Sequence, residues 1–122
     1  MTDDIVQWLP SDPTAPAWLV LQHAAGPATP PDGVFSSPGF RLHLAFLSSL
    51  AESGVLVAAG SLPDDSGAGM TIVRARGSAE ALRITRAAHE EDGAVQAGLL
   101  TVRVRPWNVA MSAPALTPSD GG

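Results

Sequence analysis

Cysteine is absent from this chain of 122 residues. Its absence excludes disulfide bonds, zinc sites built from thiolates and catalysis by a thiol, and it fits a reducing compartment. Long apolar runs are also missing, since none approaches the roughly 20 residues that a membrane-spanning helix needs. The acidic beginning of the chain is unlike a secretory signal. We therefore expect a cytoplasmic protein with no membrane partner.

Positive charge is scarce and dispersed. Twelve acidic residues outnumber seven basic ones, which gives a formal net charge of −5 at pH 7. Every basic residue is an arginine, and these arginines are spread between Arg41 and Arg105 instead of forming a cluster. Nucleic acids are bound through concentrated positive charge. This distribution therefore argues against a nucleic acid as the partner.

The length favours one domain, whose core is small enough that pairing with a second subunit would stabilise it. Residues 1–16 are rich in aspartate and proline, which predicts a flexible N-terminal extension. Residues 17–110 form the predicted domain. Residues 111–122 are rich in alanine, proline, serine and glycine, and we expect a flexible C-terminal tail there.

The predicted domain alternates short strands with two helices. Apolar alternation and short apolar runs predict four strands, at residues 17–23, 55–59, 70–76 and 99–110. Apolar residues three and four positions apart predict helices at residues 38–53 and 78–91, the first capped by Ser37 and ended by Gly54. The order βαββαβ is typical of an α+β, ferredoxin-like fold, an antiparallel sheet with its helices on one face.

The strand directions decide which residues meet. We expect right-handed crossovers to make the first and third strands parallel neighbours, with the second and fourth antiparallel to them. The end of the first strand, the start of the first helix and the start of the fourth strand then share one sheet edge. This arrangement brings His23, His43 and the turn at Asp92 together. The turn at residues 61–69 is expected at the opposite edge.

His43 is the strongest candidate for chemistry, because it lies on the apolar face of the first predicted helix. An imidazole removed from water needs a partner. Ionised Asp92 could accept a hydrogen bond from one ring nitrogen and fix the tautomer, so that the other nitrogen transfers a proton. Alternatively, His43 is a core histidine bonded to backbone, and Asp92 only caps a turn through Ala94 and Val95.

The other two histidines are weaker candidates. His23 could help to bind substrate, or solvent could satisfy it at the end of its strand. His89 lies beside Glu90 and Glu91, which predicts a surface position. The three histidines lack the spacing of metal ligands. We therefore predict no metal site and no cofactor.

Three residues of the last predicted strand share one face, namely Arg103, Arg105 and Trp107. If that face lines a barrel between two subunits, they could hold an anionic or aromatic substrate by charge-assisted hydrogen bonds and stacking. The alternative is that the arginines form ion pairs across the interface with part of the acidic surplus.

Several segments together carry a resemblance to a known family. They are His43 in the first helix, residues 54–64 (GVLVAAGSLPD), Asp92 followed by residues 97–99 (AGL), and residues 104–107 (VRPW). With these, residues 17–110 resemble the YCII-related family of the dimeric α/β-barrel superfamily. The resemblance implies a homodimer whose sheets face one another, with His43 and Asp92 as a catalytic pair in a cleft.

Together, the residues and the resemblance predict an enzyme. We expect the His43 and Asp92 pair to carry out general acid/base chemistry of an isomerase, lyase or dehalogenase type on a small organic substrate. The alternative is a non-catalytic dimeric module that binds a small molecule or assists a partner protein.

Overall fold

A computed structural model describes residues 4–113 of the protein. Its sheet contains four strands, β1 (Ala17–Ala25), β2 (Leu56–Ser61), β3 (Gly69–Ala75) and β4 (Leu100–Trp107). Its helices are α1 (Phe40–Glu52), α2 (Ser78–Glu90) and the single-turn α3 (Gly93–Gln96), with short 3-10 segments at Asp4–Trp8 and Val34–Ser36. All four predicted strands and both predicted helices are present. The helix α3 replaces the turn expected after Asp92.

The four strands form one antiparallel sheet in the order β2-β3-β1-β4. This connectivity is compatible with the predicted ferredoxin-like fold. The prediction that the first and third strands are parallel is wrong, because they pair antiparallel. The crossover through α1 makes β1 parallel to β2, and the β2–β3 hairpin places β3 between them in the opposite direction.

This strand arrangement determines where the turn between β2 and β3 lies. His23 near the end of β1 pairs with Gly69, and Ser61 at the end of β2 pairs with the same glycine. The turn between β2 and β3 therefore lies beside His23. The prediction that this turn lies at the opposite edge is wrong, for the same reason as the strand directions.

The main core lies between the sheet and the two long helices. On β1, Leu19 and Leu21 are fully buried, while Trp18 and Val20 point to the other face and remain partly exposed. The buried side chains of the helices join the same cluster, among them Phe46, Leu50 and Ile84. Burial of each such side chain contributes roughly 1.5–3 kcal/mol. The alternation along β1 thus determines which face of the sheet receives the helices.

The ends of α1 are defined by short-range contacts. The helix begins at Phe40 instead of residue 38, and the hydroxyl of Ser37 accepts a hydrogen bond from the Gly39 amide at 3.2 Å. Gly54 follows the helix with φ of +81°, as its predicted left-handed position requires. The amides of Gly54 and Val55 donate to the carbonyls of Ala51 and Leu50, closing the helix as a Schellman motif.

The segment before β1 contacts the domain. Ile5 is 4% exposed and belongs to the main core cluster, and the amide of Ser78 donates to the carbonyl of Pro13 at 2.9 Å. Residues 1–3 and 114–122, which include most of the predicted tail, lie outside the described residues. Within residues 4–113, no helix has the length and apolar character needed to cross a membrane.

Candidate functional site

Asp92 is the centre of the candidate site. It is fully buried, and it precedes α3 as the N-cap residue. Its Oδ1 accepts a hydrogen bond from the Ala94 amide at 3.0 Å, which satisfies one of the free amides at the start of that helix. Its Oδ2 lies 2.7 Å from Nδ1 of His43. The capping role and the contact with His43 therefore occur together, one on each carboxylate oxygen.

His43 reaches Asp92 from the inner face of α1. His43 is 7% exposed, and its Nδ1 is the atom in contact with the carboxylate. An ionised carboxylate can only accept a hydrogen bond, so with Asp92 ionised the proton of this contact lies on Nδ1 of His43. The ring nitrogen that remains available to a ligand is then Nε2.

Gly93 allows the two helices to approach closely at this point. A Cβ atom built on Gly93 would lie 2.9 Å from the Cβ of Leu42 on α1, which is closer than side chains tolerate. A residue without a side chain is therefore needed for α3 to begin this near α1. Nothing in the local sequence pattern around Asp92 indicates this close approach.

His23 lies at the other side of the same carboxylate. Its Nε2 is 3.9 Å from Oδ2 of Asp92, and its ring packs against that of His43 with 4.5 Å between the ring centres. The residue is 5% exposed, and neither ring nitrogen has a hydrogen-bond partner among the described residues. β1 therefore directs this ring into the interior, beside a cavity, instead of leaving it exposed at the end of its strand.

Burial determines the charge state of His23. It lowers the pKa of this imidazole from 6.5 to about 4, because a charged ring is poorly solvated there. Repulsion from His43 lowers the pKa further, while the carboxylate of Asp92 opposes the shift. His23 is therefore neutral at pH 7, with one nitrogen lone pair free to accept a hydrogen bond or to bind a metal ion.

A cavity of about 200 Å³ lies next to the two histidines. Its walls come from α1, from the Val34–Ser36 segment and from the turn between β2 and β3. Aromatic and aliphatic residues make up most of the lining, including Phe35, Phe40, Leu44 and Leu47. His23 and His43 both line the cavity, whereas Asp92 does not. The carboxylate thus lies behind the histidines and does not face a ligand directly.

Arg103, Arg105 and Trp107 lie on the opposite face of the sheet. They pair along β4 with Gln22, Val20 and Trp18, whereas His23 pairs with Val102. Because successive residues of a strand point to opposite faces, the three side chains point away from the helices and from Asp92. Within one chain, the structure does not bring them to the His43 site. Their predicted role in a barrel between subunits stays a prediction.

The sequence pattern did not predict that the β2–β3 turn contributes part of the cavity wall. Thr71 of β3 is 1% exposed and lines the cavity together with Gly67 and Gly69. The usable signal is topological, because a helix crossover followed by a hairpin places this turn beside the end of the first strand. The error in the predicted strand directions concealed it.

Two imidazoles and one carboxylate form a group that could hold a metal ion. One ligand atom from each of His23, His43 and Asp92 lies within 4.8 Å of the others. The three residues are distant in sequence, so they show no metal-ligand spacing from which the group could be predicted. Only the fold brings them together.

The unpartnered ring of His23 makes stability depend on pH. The unfolded chain protonates this residue below about pH 6.5, but the folded chain only below about pH 4, so acid favours unfolding between these values. Between pH 6.5 and 5, His23 should lower the free energy of unfolding of the native chain by about 2 kcal/mol. We predict that this contribution is absent in His23→Phe. Urea unfolding at both pH values measures this, with His89→Gln as the control. An unchanged pH dependence in His23→Phe would contradict the prediction.

Comparison with known proteins leaves the site to be interpreted from its geometry. The chain matches no family model and no curated protein. The resemblance to the YCII-related family therefore stays an expectation from the sequence.

Proposed function

We propose that the protein is a YCII-like enzyme that transfers a proton on a small organic molecule. His43 is the acid/base, Asp92 positions it, and the reaction is of an isomerase, lyase or dehalogenase type. The observation that carries the proposal is the 2.7 Å contact between His43 Nδ1 and Asp92 Oδ2 directly beside a cavity.

The path of the transferred proton follows from the tautomer of His43. Nδ1–H donates to Asp92, so Nε2 carries a lone pair and takes a proton from a C–H or O–H group of the substrate. The imidazolium that forms is stabilised by the ionised carboxylate. His43 then returns the proton to another substrate atom or to a leaving group, which restores the starting state. The hydrogen bond from the Ala94 amide to Oδ1 keeps the carboxylate from rotating out of place.

The cavity lining indicates the class of substrate. Its walls are mostly apolar, and none of the described residues that line it is an arginine. The rings of Phe35 and Phe40 meet edge to face with 4.8 Å between their centres, and this pair offers an aromatic wall. The volume of about 200 Å³ compares with the ~150 Å³ cavity that holds benzene in an engineered protein. A neutral, monocyclic substrate fits these features best.

The outer face of the sheet supports a homodimer as part of the same proposal. Val20 and Ile72 pair at its centre, and Met70 and Trp107 are 38% and 44% exposed. Exposed apolar surface of this kind marks an interaction site, and a small domain benefits from the added burial. In such a dimer, Arg103 and Arg105 flank the apolar centre.

Deuterium exchange tests the proton transfer without knowledge of the natural substrate. In D₂O, neutral monocyclic compounds with an acidic C–H group should exchange that hydrogen when the protein is added. We predict that His43→Gln lowers the exchange rate by about 10²–10⁴-fold, because the base is lost. Asp92→Asn should lower the rate without weakening binding of the compound, and His89→Gln should change neither quantity. Proton NMR follows the exchange.

Two results would reject the acid/base proposal. One is exchange that persists unchanged in His43→Gln. The other is a compound that binds in the cavity, does not exchange and has the same affinity for His43→Gln. The second result would favour the non-catalytic binding module.

Sedimentation equilibrium tests the dimer. We predict a particle of twice the 12.5 kDa chain mass, and we predict that Val20→Glu converts it to a monomer. In the monomer, the new carboxylate lies opposite Arg105, with which Val20 pairs, whereas a dimer would bury two such charges. Ala45→Asp, on the exposed side of α1, is the control. A native chain that sediments as a monomer would contradict the proposal.

A further inference from the structure

Three side chains of types that commonly ligate transition metals lie close together, two of them in the lining of the cavity and the third behind these two. They are His23, His43 and Asp92, each less than 10% exposed. We propose that they bind a divalent first-row transition ion such as Zn²⁺, and that this ion competes with the proton shared by His43 and Asp92. The inference goes beyond the proposed function, because it concerns a ligand that no reaction step requires.

The unpartnered ring of His23 is the first support. Both of its nitrogens are buried and lack a hydrogen bond among the described residues. A buried polar group without a partner costs about 1–3 kcal/mol, and native proteins rarely retain one without a reason. A metal ion bound to Nε2 satisfies the nitrogen that already faces Asp92.

The distances are the second support. Metal bonds of about 2.0–2.2 Å in a tetrahedral site place neighbouring donor atoms about 3.4 Å apart. Oδ2 of Asp92 lies 2.7 Å from Nδ1 of His43 and 3.9 Å from Nε2 of His23, two distances that bracket this value, and all three ligand atoms lie within 4.8 Å of one another. Small side-chain rotations at the two histidines would bring the three donors to a common ion.

The surroundings resemble those of metal sites with an open position. Asp92 is oriented by the Ala94 amide through its other oxygen, and such outer contacts hold ligating carboxylates in place. Three protein ligands leave a fourth position for water or a small molecule. That position would face the cavity, since both histidines line it. Two imidazoles and a carboxylate suit Zn²⁺ and its neighbours better than Ca²⁺ or Mg²⁺, which take oxygen ligands.

Metal and proton cannot occupy Nδ1 of His43 together. Binding of the ion releases the proton that this nitrogen donates to Asp92. The carboxylate of Asp92 is then no longer available to stabilise the imidazolium of His43 that forms in the acid/base cycle. Bound metal would therefore suppress the proton transfer, and its removal would restore it.

Metal binding can be measured without any substrate. Chelator-treated protein is titrated with Zn²⁺ by calorimetry, and with Co²⁺ by visible absorption, which reports the coordination geometry. We predict one ion per chain and an affinity that falls at least about 10–100-fold in His23→Gln. His89→Gln, which alters a histidine on α2, should bind as the native chain does. Circular dichroism confirms that each variant is folded.

Imidazole NMR of the native chain makes the test independent of any variant. Added Zn²⁺ should shift the ring signals of His23 and His43 and leave those of His89 in place. Equal shifts of all three histidines, no stoichiometric binding, or an unchanged affinity in His23→Gln would each overturn the metal site. Because these measurements involve no turnover, they can fail while proton transfer is observed, and the reverse also holds.

Discussion

One buried carboxylate organises the candidate site. Asp92 is fully buried, and an ionised carboxylate in such a position is strongly unfavourable unless other groups satisfy it. Its Oδ1 is bonded to the Ala94 amide, and its Oδ2 faces His43 and His23. The start of α3, the inner face of α1 and the end of β1 therefore all meet at this group. The apolar cavity lies on the far side of the two rings.

Much of the fold follows from local sequence patterns. Leu19 and Leu21 alternate with Trp18 and Val20, and this period of two is sufficient to predict β1 and which of its residues share a face. Gly54 marks the end of α1, because its left-handed φ is most accessible to glycine. Strand direction has no such local signal. It depends on how the α1 crossover and the β2–β3 hairpin combine, and there the prediction was wrong.

The site was predictable only where topology determines it. The meeting of His43 with Asp92 follows from the shared sheet edge, and the structure has their contact at 2.7 Å. The burial of His23 was missed, because a position at a strand end does not reveal that α1 covers it. Arg103 and Arg105 were correctly expected to share a face. Their separation from the His43 site depends on the parity of the β1–β4 register, which the sequence alone does not show.

The central claim is that Asp92 fixes the tautomer of His43 so that Nε2 is free to act. Nitrogen-15 NMR of the imidazole rings tests it most directly in the metal-free native chain, with Asp92→Asn as comparison. We predict a His43 ring protonated at Nδ1, with a strongly hydrogen-bonded proton whose signal is lost in Asp92→Asn. A His43 ring protonated only at Nε2, or one whose Nδ1 signal is the same in both chains, would contradict this prediction.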